Sequence, residues 1–137
     1  MPLSIRYLWT MATRTHGFIA YLRVDNKPVS PAEVATTRHS RAKGLLGRDH
    51  LEGVLILPKV RSIHTFGMKF PIDVALIDQS MTVRKVFESV APNRVVLPRS
   101  RTRHVVESAG GRFEEFGLRP GAQLVVALES VDLISGR

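Results

Sequence analysis

Cysteine is absent from this chain. That one absence removes disulfides, thiolate zinc sites, iron–sulfur clusters and a cysteine nucleophile, and it fits a reducing compartment. Long apolar runs are missing too. No segment reaches the ~18 residues that a membrane helix needs. The apolar opening MPLSIRYLWTMA is broken by Arg6, short of the continuous core of roughly 7–15 residues that a signal peptide uses. The expectation is a cytoplasmic protein with no membrane span and a tail over residues 1–14 that is not part of the core. Phosphate loops of the Gly-x-x-x-x-Gly-Lys and Gly-x-Gly-x-x-Gly types do not occur. The histidines, at 16, 39, 50, 64 and 104, lack the close pairing of a helical or knuckle metal site, so no metal and no cofactor is assigned.

What is present suits one globular domain, residues 15–137. The chain has 137 residues, 44% hydrophobic and 23% charged, ordinary usage for a domain that builds its own core. The net charge is +8, unevenly placed. Residues 1–48 hold eight Lys/Arg against Asp25 and Glu33, whereas residues 49–137 hold twelve against ten acids. A basic third of this kind attracts anions without selecting among them.

Short strand signals recur along the chain. GFIAYLRV (17–24), GVLILP (53–58), RSIHTFGM (61–68), IDVALID (72–78), TVRKVFES (82–89), VVLP (95–98), HVVES (104–108) and QLVVALESV (123–131) are apolar or alternating and bounded by turn residues. IDVALID and TVRKVFES form a predicted hairpin, with Ile72, Val74 and Leu76 facing the core. DNKPVSP reads as a loop. Ser30 and Pro31 read as the cap and first residue of a helix within 31–46 that stops near Gly47. RFEEFGL (112–118) reads as a second short helix. The fold class is therefore mainly β (α+β): a compact barrel-like or sandwich-like sheet of about seven short strands with one or two short helices.

Three blocks then stand in order: RAKGLLGRDHLEGVLIL (41–57), SIHTFGMKFPIDVALID (62–78) and VVESAGGRFEEFGLRPG (105–121). Together they resemble the domain-of-unknown-function family 192, also called uncharacterised protein family 0127, in a variant carrying the His64-Thr65 pair. The match runs over about residues 33–128. This chain has Val60 where such variants carry a cysteine, and Gly121-Ala122 where the family's turn ends in Gly-Asp. The resemblance implies a compact, mostly β domain and no established reaction.

Candidate chemistry centres on the connection between two apolar strands. His64 is a candidate base and Asp73 a carboxylate able to fix its tautomer. Both are catalytic candidates, with Thr65 or Ser62 as possible nucleophiles. No Gly-x-Ser-x-Gly elbow supports the latter. His64, Thr65, Lys69, Asp73 and Arg48 are the ligand-binding candidates, the two cations suiting an anionic group. Gly110-Gly111 is a turn with a free-amide alternative. Arg99, Arg101 and Arg103 would share one side if their segment were extended, though no aromatic interleaves with them to stack bases.

These features favour a non-catalytic binding or accessory domain, for a small anion or a peptide near His64–Asp73. A hydrolase using His64 as general base is the alternative, and weak non-specific nucleic-acid binding a lesser one. For the last, the sequence has no reading helix or zinc finger. Any affinity for DNA should therefore fall steeply from low to physiological salt, through counterion release. A filter-binding salt titration checks this, and sequence-selective binding at physiological salt would contradict it.

Overall fold

The computed structural model describes residues 18–130. The expectation for the tail at 1–14 lies outside the described residues. The first hairpin joins β1 (Phe18–Val24) to β2 (Lys27–Val34) through Asp25 and Asn26, both left-handed at φ 48° and 71°. Asx residues tolerate that region because their short polar side chains bond locally. The Asp25 carboxylate accepts the Gln123 amide and an Arg119 N–H, each at 2.9 Å, so the turn is tied to the far end of the chain.

β2 is where sequence reasoning errs. Ser30 and Pro31 do not open a helix; they lie inside this strand. Proline is tolerated there because β2 pairs irregularly: Pro28 and Pro31 sit on either side of a register shift opposite Leu22/Arg23. The strand then leaves β1 and runs parallel to β3 (Val54–Leu57). Gly53 permits that approach, since a Cβ built on it would stand 2.3 Å from the Pro31 carbonyl oxygen.

The helix begins later, as α1 (Arg38–Lys43). Thr37 caps it: its Oγ1 accepts the Ser40 amide, and Ser40 Oγ accepts the Thr37 amide, both at 3.0 Å. A threonine that weakens a helix interior strengthens its start by this reciprocal bond. The helix ends at Gly44 rather than Gly47, at φ 52° and ψ −128°, a conformation essentially confined to glycine.

The remaining strands are β4 (Ile63–His64), β5 (Ile72–Ile77), β6 (Val83–Val90), β7 (Val95–Val96), β8 (His104–Ala109) and β9 (Leu124–Ser130), with α2 (Arg112–Phe116) between the last two. Seven form one sheet in the order β6-β5-β8-β3-β2-β1-β9, and β4 pairs with β7 apart from it. The sheet curls until Thr82 and Gln123, beside its two edge strands, meet in a single bridge. It is barrel-like and open. β4 is two residues of the longer run 61–68 expected from sequence. Arg99–Arg103 is not an extended strand: Arg101 is left-handed at φ 64°, and the Arg99 guanidinium lies 5.7 Å from the centre of the Phe87 ring. The three arginines therefore do not line one side.

The β5–β6 hairpin is as expected, but its burial is not one-sided. Every residue of β5 is buried. Ile72, Val74 and Leu76 pack with Leu45, Leu55 and Met68, while Ala75 and Ile77 pack with Leu22, Phe113 and Leu124. Successive side chains of a strand point to opposite faces, and here each face meets its own core. Val74→Asp and Ala75→Asp should therefore both be severely destabilising, each by about 3 kcal/mol or more for an unpaired buried charge. Urea unfolding of the two variants measures this; a near-native midpoint for either would show that its face is open.

Candidate functional site

The same pleat decides which polar side chains meet. In the register of β3, β8 and β5, Glu107 stands between Leu55 and Val74, on the face that carries Val105. Asp73 is one residue out of phase with Ile72 and Val74 and points to the opposite face. Its carboxylate is fully buried. Oδ1 accepts the amides of Ser89 at 2.7 Å and Gly111 at 3.1 Å, and Oδ2 accepts that of Phe113 at 3.0 Å. Three main-chain donors satisfy the charge and fasten β6 and the start of α2 to β5. No hydrogen bond joins Asp73 to His64, so the structure does not form the expected pair.

Thr65 is also held by the fold. It is buried, donates from Oγ1 to the Ala91 carbonyl at 2.7 Å, and accepts the Arg94 amide at 2.8 Å. Lys69 is exposed and pairs with Asp49 at 3.1 Å; Arg48 pairs with Glu33 at 2.6 Å. Of the five candidates, only His64 lines the recess that Glu107 also lines. That imidazole is exposed. Its Nδ1 accepts the Phe66 amide at 3.2 Å, and its ring stacks on Phe66 with centroids 5.1 Å apart.

The recess has a volume of about 480 Å³ and lies beneath the C-terminal end of α1. Leu45, Leu46, Ile63, Phe66, Met68 and Ile72 give it apolar walls. Arg38, Lys43 and Lys59, all exposed, and Arg41 line it with positive charge. Glu107 also lines it, with only 3% of its surface accessible, and its Oε2 has no hydrogen-bond partner. Gly44 lies beside this carboxyl: a Cβ there would stand in ordinary contact with Glu107 Oε2, at 3.4 Å. Burial pushes the Glu107 carboxyl up to about 7, against a smaller opposing pull from the charge of Arg48. Nearby, His104 is buried and accepts the Lys59 amide on Nδ1 at 3.0 Å. Burial, aided by the charges of Arg103 and Lys59, holds it down near 4. It is a neutral structural group at pH 7. Among the described residues, no cluster of three His, Asp or Glu side chains is placed to hold a metal ion.

The Uncharacterized ACR profile DUF192 matches residues 20–126. The chain belongs to the DUF192 family. That match spans α1, the recess and Glu107. No curated protein matches the chain. Two solved structures share the DUF192 chain's fold. One is a protein of unknown function from Novosphingobium aromaticivorans DSM 12444, with a TM-score of 0.65 and 21% identity over 77% of this chain and 82% of that one. The other is a candidate transcription regulator from Sinorhizobium meliloti 1021, with a TM-score of 0.65 and 19% identity over 80% of this chain and 93% of that one.

Glu107 was not among the residues singled out from sequence. The available signal was local: in HVVES an acid stands two residues from Val105 in a strand bounded by apolar neighbours, and a carboxylate is rarely placed on a core-facing position without a partner.

Glu107 and His104 make opposite contributions to pH dependence. Glu107 binds its proton more tightly folded than unfolded, so its contribution is present below pH ~4.5 and is lost as pH rises towards 7, by roughly 3 kcal/mol in all. His104 binds its proton less tightly folded, so its contribution is present above pH ~6.5 and is lost as pH falls towards 4. Through the shared window the two offset each other. Glu107→Gln removes one of them, and its stability should rise relative to the parent's as pH goes from 5 to 7.5. Chemical denaturation across that range checks this; a constant difference between the two proteins would contradict it.

Proposed function

We propose that this DUF192 protein is a binding domain that seats a small molecule with an apolar body and an anionic group in the recess beneath α1. The observation that supports this reading most is the combination of apolar walls and a positively charged surround in one concave site. Apolar walls with a few placed polar groups are the usual make-up of small-molecule sites. Arg38, Lys43 and Lys59 attract the anionic end by long-range charge, and the stacked His64–Phe66 pair offers a flat, partly polar surface beside them. Thr65 serves the site from behind, fixing the 65–94 connection beside His64. Asp73 ties β5 to β6 and α2 on the opposite face. Arg48 and Lys69 sit outside the recess, in ion pairs with Glu33 and Asp49.

A probe with a branched apolar chain and one carboxylate, 4-methylpentanoate, tests this reading. Titrated into the 15N-labelled protein, it should shift the amides of residues 44–46 and 62–66 and leave those of α2 unmoved. Arg38→Ala should weaken binding by about fivefold, as expected for losing roughly 1 kcal/mol of charge attraction. Equal binding of the neutral 4-methylpentanamide would remove the anion from the proposal. Shifts confined to another face would remove the site.

A further inference from the structure

We infer that the ligand of this recess is dipolar, with a cationic nitrogen that bonds the Glu107 carboxylate and an anionic group that meets the basic surround. The inference rests on the binding site proposed above and names its ligand class.

Glu107 supplies the argument. A carboxyl oxygen buried without a hydrogen bond is costly, and a strand position facing Leu55 and Val74 would suit an apolar residue better for stability alone. The carboxyl lines the recess, and a ligand seated there supplies the missing donor once it displaces the side chains that cover Oε2. Gly44, which has no side chain, is the residue at the end of α1 that lies next to that oxygen. What Oε2 lacks is a donor, and a charged donor bonds a carboxylate about twice as strongly as a neutral one.

The charges around it then limit what can enter. The groups lining the recess with Glu107 are Arg38, Arg41 and Lys43 from α1, and Lys59 and His64 from the segments opposite, with Arg48 acting through space. All are bases. A lone cation is repelled at this surround, and a lone anion is repelled at depth by an ionised Glu107. A molecule that carries both signs, with its nitrogen leading and its anionic group trailing, meets an opposite charge at each end. Between them its apolar body contacts Leu45, Ile63 and Met68. This describes a small amino-acid-like zwitterion or a molecule of the same charge pattern.

Three probes of one shape separate the possibilities: L-leucine carries both charges, 4-methylpentanoate the carboxylate alone, and 3-methylbutylamine the ammonium alone. Each is titrated into the full-length protein at pH 8 with amide shifts as the readout, a comparison that needs no variant. Leucine should bind about tenfold more tightly than either single-charge probe, the scale of one added charge-assisted bond. Glu107→Gln, with its fold checked by thermal melting, should weaken leucine binding and strengthen that of 4-methylpentanoate, whose repulsion by the carboxylate is gone, so that the two converge. If 4-methylpentanoate binds the parent as well as leucine does, or if Glu107→Gln leaves their ratio untouched, the dipolar inference is wrong while the anion-binding recess stands. Tightest binding by 3-methylbutylamine would overturn the role given to the basic surround. If none of the three moves the amides lining the recess, both the inference and the site fall.

Discussion

The pleat of the three central strands, β3, β8 and β5, governs everything else in this protein. Each is buried along nearly its whole length, so the sheet has two apolar faces rather than one wet and one dry. One face is covered by α2 and by side chains of β1 and β9; the other is covered by Leu45 after α1, by Met68 and by the small β4–β7 sheet. Because neighbouring side chains must point to opposite faces, any acid in these strands is committed to one core or the other.

Two acids show the consequence. Asp73 enters the core beneath α2, where the strand ends leave main-chain amides without partners, and it collects three of them. A charge so surrounded stays buried because donors replace its water. Glu107 enters the other core, where its neighbours are apolar, and its Oε2 bonds nothing. The first carboxylate fastens three elements together. The second lies buried and unbonded beside a recess, and the ligand proposal follows from that difference.

The basic character of the chain takes a particular form in the fold. The arginines of 99–103 turn through a left-handed residue and one lies over Phe87, so they make no ordered row. The cations of α1, by contrast, are gathered over the recess with Lys59 by the short helix that Thr37 starts and Gly44 ends. Net charge attracts anions in general; the helix gives part of that charge an address.

The sequence by itself determined the local elements whose signals are local. Alternation and apolar runs marked β1, β3, β5, β6, β8 and β9, turn residues bounded them, and three ordered blocks carried the family resemblance. It placed the first helix within the right stretch but started it too early, because Ser30-Pro31 and Thr37 are both chemically sound starts, and only the pairing of β2 with β1 and β3 excludes the former. It overlooked Glu107 and joined His64 to Asp73 for a related reason. Short spacing suggested a shared site, but convergence of side chains depends on which sheet face each occupies. That was settled by register across strands distant in the chain, Asp73 opposite Ser108 and Glu107 opposite Val74. Register is a property of packed strands, fixed by burying two faces at once, and no single segment contains it.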